Sequence, residues 1–215
     1  MSRLITTSLQ SSIDWYKICP PSWKEKAYKD LKNMLARIEY EPGEAAKLGI
    51  KFEKCLYREI ASSNNTGSDK FQAIVKRYKK YKEVYPLEIQ KKIKRFITLG
   101  DVEYCLYGKL DIYCGDFIED VKTTSKLMDD YSKKYLKGFQ HHLYCYITEI
   151  PIFRYFIVAF NEHTKQIHST QEIEYKSPSM EVERDIIEDE IKNIFVFFNN
   201  NPELGHLYND KYCLY

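Results

Sequence analysis

The spacing of apolar positions changes character near residue 100. Before it, apolar residues recur at helical intervals: Leu48, Phe52, Leu56 and Ile60 fall at i+4 steps and predict a helix over residues 44–60. A second helix is predicted over 21–38, and two more, both basic, over 69–82 and 87–97. After it, short runs rich in β-branched and aromatic residues predict strands over 102–107, 109–114 and 117–123. A helix over 131–147, a strand over 152–160 between Pro151 and Asn161, and an amphipathic helix over 179–199 follow. Residues 62–68 (SSNNTGS) read as the clearest loop, and 177–179 as a second break. The resulting order predicts an α/β (α+β) architecture: a central mixed sheet of about four strands flanked by helices, with helical additions at both ends.

A chain of 215 residues suits one buried core, so residues 1–215 are expected to form a single domain. Within it, 1–100 is mainly helical, 101–160 forms the sheet with its helix, and 179–199 is the last helix. With 44% apolar and 30% charged residues the composition is that of a globular protein. No stretch approaches the ~18 uninterrupted apolar residues of a membrane span, and residues 1–19 lack a basic start followed by an apolar run. The six cysteines (19, 55, 105, 114, 145, 213) show no CxxC spacing and read as reduced, mostly core residues. No membrane contact and a cytoplasmic setting, bacterial or host, are therefore expected.

Net charge is only +2, but it is unevenly spread. Between Lys70 and Arg95 ten Lys or Arg face two Glu, whereas residues 181–190 hold six acids against Arg184. A basic region on a balanced protein suits a polyanion, which makes Lys76, Arg77, Lys79, Lys80, Lys91, Lys92 and Arg95 candidate nucleic-acid contacts. The alternative is a pair of solvated helix faces.

The densest chemistry lies in residues 108–124, GKLDIYCGDFIEDVKTT. Gly115-Asp116 suits a two-residue hairpin turn, because glycine tolerates the positive φ such turns need. That turn pairs Cys114 with Phe117, Tyr113 with Ile118, Ile112 with Glu119, and Asp111 with Asp120. Alternation then puts Asp111, Asp120 and Lys122 on one face. Ile112, Cys114, Phe117 and Val121 take the other, with Glu119 the polar exception. Directly opposed carboxylates repel, and a cation between them relieves this; oxygen donors favour Mg²⁺ or Mn²⁺ over zinc. Lys122 can reach the same place and neutralise charge developing on a phosphate. The competing possibility is an ordinary surface hairpin. Gln140 and Tyr144 share one stripe of the following helix, and Glu53 sits on a partly apolar helical face.

Taken in order, these pieces resemble the RecB-like branch of the PD-(D/E)xK nucleases, which includes phage exonucleases. The matching segments are Ser8…Cys19-Pro20…Trp23, Gly49-Ile-Lys-Phe-Glu53, Gly108-Lys-Leu-Asp111, Ile118-Glu-Asp120-Val-Lys122-Thr and Gln140…Tyr144. The resemblance implies a restriction-endonuclease-like core, with Asp111 and Asp120 as metal ligands and Lys122 as the catalytic lysine. Glu53 becomes an auxiliary acid and ligand, with Gln140 and Tyr144 near the scissile phosphate. Many RecB-like members carry His where this chain has Glu53, and iron–sulfur members keep a C-terminal cysteine cluster, whereas Cys213 stands alone; no cluster is expected. The implied activity is Mg²⁺- or Mn²⁺-dependent hydrolysis of DNA, as an exonuclease in recombination, repair or phage DNA metabolism. Duplex ends or single strands are the expected partners, with a homo-oligomer or a recombination protein alongside. The alternatives are an inactive DNA-binding or assembly module on the same fold, or a structure-specific endonuclease. No phosphate-loop motif, serine nucleophile elbow or histidine ligand spacing offers a competing chemistry.

Overall fold

The computed structural model describes residues 2–39, 41–62 and 67–214; positions 63–66 of the expected loop lie outside the described residues. The chain opens with strand β1 (Ser2–Thr6) and helix α1 (Thr7–Ile18), which the apolar pattern did not announce. Thr6 joins them: its backbone is extended and its hydroxyl accepts from the Leu9 N–H at 3.1 Å, capping the helix. A 3-10 turn at Pro21–Trp23 and helix α2 (Lys24–Leu35) stand where one helix was expected. Helices α3 (Glu44–Ala61) and α4 (Asp69–Val84) fall where the spacing placed them.

The expected basic helix over 87–97 is instead strand β2 (Glu88–Leu99). Ile89, Ile93 and Ile97 are four apart, which is about one helical turn but also an even number of strand positions. The stripe fits both periods, so pairing decides. Gly100, at φ +59°, turns the chain, and β2 runs antiparallel to β3 (Val102–Tyr113) from Leu99–Val102 to Glu88–Tyr113. Strand β3 is continuous, where two strands were expected; Gly108 lies inside it, opposite Ile93.

Strand β4 (Ile118–Thr124) follows with part of the expected hairpin register, Ile112–Glu119 and Tyr113–Ile118, around Gly115 at φ +79°; the expected Asp111–Asp120 pair does not form, because β4 diverges and Asp111 takes the Val121 N–H instead. The helix expected over 131–147 divides at Gly138 into α5 (Ser132–Tyr135) and α6 (Gln140–Thr148). Strand β5 (Ile152–Phe160), strand β6 (Ile167–Lys176), helix α7 (Met180–Asn200), helix α8 (Pro202–Tyr212) and strand β7 (Cys213–Leu214) complete the chain.

The mixed sheet has seven strands among the described residues, in the order β6-β5-β4-β3-β1-β7, with β2 also on β3. Strands β1, β2, β6 and β7 are the ones the sequence pattern missed. Helices cover both faces. Phe153, Tyr155 and Ile157 of β5 join a core beneath α1, α2, α6, α7 and α8, while Phe156, Val158 and Phe160 join a second beneath α3 and α4. A strand buried on both faces reads as an unbroken apolar run, and β5 does.

One topological detail creates the site. Strand β2 occupies one edge of β3 throughout. The other edge is shared: β1 pairs with it as far as Thr6–Tyr107, and β4 only at Ile112 and Tyr113. Among the described residues that edge has no strand partner between Tyr107 and Ile112, because β1 leaves the sheet into α1 while β4 diverges. The motif residues of β3 therefore face a gap.

Candidate active site

Asp111 stands at the gap. Its Oδ2 accepts the Val121 N–H at 2.9 Å, replacing the strand acceptor that β4 has lost by diverging, and its Oδ1 accepts from Gln90 Nε2 at 2.8 Å. The parity of β3 also changes here: Leu106 and Leu110 join one core, Ile112 and Cys114 the other. Opposite it, Gln90 holds a left-handed backbone (φ +57°), an unusual conformation for a non-glycine residue.

Asp120, only 4% exposed, sits on the face of β4 towards α6. Its Oδ1 accepts from Gln140 Nε2 at 2.5 Å, and its Oδ2 lies 2.7 Å from Lys122 Nζ. That second contact is an ion pair off good hydrogen-bond alignment, so the buried Asp120 Oδ2 is met by the Lys122 charge but by no well-aligned donor. The Tyr57 hydroxyl, on α3, is buried without a well-formed hydrogen bond as well. It lies close enough to Asp111 and Glu53 for burial and their charges to hold its phenol far above the usual range.

The carboxyls behave as a strained group. Burial, then the neighbouring charge of Asp120, pushes Asp111 up to about 7, against the pull of the Val121 N–H. Glu53 is raised by burial and then by Asp120, with Lys122 and Lys109 opposing. For Lys122, burial works against the ammonium, but Asp120 and Asp111 outweigh it and hold the charge in place.

Two glycines of the motifs are explained by close approach. Any side chain on Gly49 would collide with Thr123 Oγ1, so the glycine lets α3 bring Glu53 down onto β4. Any side chain on Gly108 would collide with the Tyr144 ring, which lies flush against β3 with its hydroxyl 3.4 Å from the Lys109 carbonyl oxygen. Asp111, Asp120, Lys122, Gln140, Tyr144 and Glu53 thus converge. Asp111 and Asp120 offer oxygen donors to a hard cation, with Glu53 standing further off. Among the described residues no set of three or more His, Cys, Asp or Glu donors is gathered tightly enough to hold a metal by itself. The Asp120 oxygen that lacks a well-aligned donor, beside the raised Asp111, nevertheless fits a Mg²⁺ or Mn²⁺ sharing its shell with water or substrate.

Gln90 and Tyr57 are site residues that sequence reasoning missed. Gln90 was hidden by the helical reading of β2; the Gly100 turn, once recognised, puts position 90 opposite 111. Tyr57 carried no signal beyond lying one helical turn from Glu53.

The expected nucleic-acid contacts do not form one stripe. Arg77 is committed inside the protein: it forks onto Glu119 at 2.8 and 2.6 Å and also binds Glu172. Lys91 pairs with Glu88 and lies over the Tyr113 ring, and Arg95 binds the Tyr146 carbonyl and Glu149. Lys76, Lys80 and Lys92 are exposed and Lys79 half-buried, the first two and Lys79 on α4, Lys92 on β2. His141 and His142 are in ring contact but turn to different partners, Tyr155 and Glu183. All six cysteines are free, four of them buried.

No family model matches the chain, and no characterised protein is recognisably similar in sequence. Among solved structures, that of SSO0001 is 13% identical with a TM-score of 0.49, the match covering 89% of this chain and 76% of the other. Rai1 of Candida albicans, solved in complex with pU5 and Mn²⁺, is 12% identical with a TM-score of 0.31, covering 87% of this chain and 55% of Rai1. At such distances neither likeness bears on what this chain does.

Proposed function

We propose that the protein is a metal-dependent phosphodiester hydrolase, a nuclease of the PD-(D/E)xK kind. The observation that carries this is the convergence of Asp111, Asp120 and Lys122 beside the gap of β3, with one buried Asp120 oxygen met only by the Lys122 charge and Asp111 raised to about 7. Asp111 and Asp120 would hold the cation, Glu53 standing by as an outer acid. Once bound, Mg²⁺ or Mn²⁺ supplies Lewis-acid polarisation of the phosphate and of an attacking water.

The chain's own groups do the rest. Gln140 grips Asp120 Oδ1 and fixes the carboxylate plane, as Gln90 does for Asp111. Lys122 places a positive charge where negative charge grows on the phosphate oxygens. Tyr144 forms the wall against Gly108. The finer reading, an exonuclease acting on DNA in recombination, repair or phage DNA metabolism, is supported by the ordered motifs alone.

The test is purified protein with Mg²⁺ or Mn²⁺ on end-labelled linear duplex, single strand, closed circle and RNA. Asp120→Asn serves as the control. Cleavage that chelator abolishes, that Mg²⁺ restores and that Asp120→Asn lacks is the expected result. Cleavage surviving exhaustive chelation overturns the metal assignment, and binding without cleavage turns the reading to an inactive DNA-binding module.

A further inference from the structure

A cleft of about 640 Å³ opens beside the carboxylates, lined by Lys122, Gln140 and Tyr144 at one end. Its other walls come from the start of α1 (Thr7, Ser8, Ser11), from Lys109 of β3 and from Arg37, in the turn after α2. In a chain with 33 basic and 31 acidic residues, this cleft is lined by Arg37, Lys109 and Lys122, the last paired with Asp120 at its edge, and, among the described residues lining it, by no Asp or Glu.

The position of Arg37 is fixed by its surroundings. Its backbone is left-handed (φ +55°), its N–H bonds the Met34 carbonyl at 3.0 Å, and its guanidinium lies 5.0 Å from the centre of the Tyr212 ring. Tyr212 is itself tied to Met34. A left-handed arginine on a surface turn is uncommon for a non-glycine residue, and here it sets a cation at the cleft. The remaining walls carry the hydroxyls of Thr6, Thr7, Ser8 and Ser11 and the half-buried ring of Tyr107; the Tyr144 ring is packed against Gly108 and a face of Tyr212 lies under Arg37. Cations for phosphates with a ring beside them suit a single strand. The volume falls within the range of small-ligand sites, roughly 300–1,000 Å³.

We infer that this cleft is the track for a single-stranded nucleic acid on one side of the scissile phosphate, with backbone phosphates held by Arg37, Lys109 and Lys122. The inference rests on the proposed nuclease reading for its direction but not for its test, because binding is measured apart from cleavage. The track is distinct from the basic helix and strand that the sequence pattern singled out.

Fluorescent single-stranded DNA oligonucleotides, with and without a terminal phosphate, are titrated with protein in Ca²⁺ at several salt concentrations. Arg37→Glu should weaken binding roughly tenfold and lower the salt slope by about 1. Ser11→Glu, at an exposed position on α1 in the cleft wall, should also weaken binding, which guards against misfolding of the Arg37 variant. Lys192→Glu, exposed on α7, makes the same change in net charge as Arg37→Glu and is the control. A preference for the phosphorylated oligonucleotide that Arg37→Glu removes assigns the cleft to a strand end; equal loss for both assigns it to internal phosphates. Either supports the track. The inference is overturned if both cleft variants bind no worse than Lys192→Glu, or if the unaltered protein has no measurable affinity for single strands. Normal affinity in both cleft variants with intact cleavage would sink the track and leave the nuclease reading standing; tight, cleft-dependent binding without cleavage would do the reverse.

Discussion

Glu119 and Asp120 are consecutive carboxylates on β4, both withdrawn from water, yet their surroundings treat them in opposite ways. Glu119 points to the face under α4 and is completely buried. Arg77 meets it with both ends of its fork and the Tyr78 hydroxyl adds a third hydrogen bond. Asp120 points to the face under α6, where Gln140 satisfies one oxygen and Lys122 approaches the other without alignment. A buried charge with its lone pairs filled is structural, and removing its partner leaves an uncompensated ion. A buried charge with an oxygen left over, beside a second carboxyl driven up to about 7, is strained in isolation and gains from a cation. One residue along a strand separates the two roles because alternation sends them to different cores.

The sharpest way to break this comparison is to make both residues amides. Glu119→Gln strips the charge from the Arg77 fork and should destabilise the fold by about 3–5 kcal/mol, the cost of breaking a buried pair. Asp120→Asn takes the partner from Lys122 but also lifts the repulsion on Asp111 and Glu53, so in chelator it should cost clearly less stability than Glu119→Gln while abolishing cleavage. If Asp120→Asn costs as much stability as Glu119→Gln, Asp120 is a structural residue and the site assignment fails.

How far the chain disclosed this in advance depended on the range of the interactions involved. The hairpin around Gly115 is local, so the pairs Ile112–Glu119 and Tyr113–Ile118 and the apolar face of Ile112, Cys114, Phe117 and Val121 were legible from alternation and one turn; the Asp111–Asp120 pair was not, because β4 diverges there. Glu119 was visible only as an anomaly, since its partner lies 42 residues away on α4. Arg77, counted among the substrate contacts from local charge density, is that partner. Charge density does not say which way a side chain turns. The gap in β3 was invisible for a different reason: it depends on β1, a short strand whose pairing with β3 spans about a hundred residues. Strand β2 was misread because an i+4 stripe satisfies two periods, and Gln90 was lost with it.

Lys122 sharpens the comparison on the catalytic side. Its ammonium sits against Asp120 Oδ2 at 2.7 Å and remains charged despite burial. Lys122→Ala should lower single-turnover cleavage by about 10²–10³, as for loss of one well-placed electrostatic group. Affinity for single strands should fall only by the share of one phosphate contact, and Lys122→Gln should not restore the rate. A variant that loses affinity severalfold but cleaves bound substrate normally would make Lys122 a binding residue only.

The smallest effect is the most specific. Asp111 is raised to about 7 in the fold, against about 3.9 for an unfolded aspartate. A carboxyl raised on folding favours its neutral form there. Its contribution is fully present below about pH 4 and is lost as pH rises through 7. His141 works the other way: burial, then His142, holds it at about 3, so its contribution is present above about 6.5 and is lost as pH falls. The two windows overlap, and a bare stability–pH curve would confound them. Subtracting the curve of the unaltered protein from that of Asp111→Asn cancels His141 and all distant groups, leaving Asp111 and its neighbours Asp120, Glu53 and Lys122. The amide can still accept the Val121 N–H through its oxygen, so the local fold keeps that bond. In chelator the difference should be near zero at pH 4 and grow as pH rises through 7. At pH 8 the variant should be more stable by on the order of 2 kcal/mol, less where Lys122 already relieves the repulsion. Adding Mg²⁺ or Mn²⁺ should stabilise the unaltered protein, leave the variant where it was and reverse the sign at pH 8. A pH-independent difference in chelator would mean that burial does not strain Asp111, and with it the contrast between Asp120 and the satisfied Glu119 would lose its physical basis.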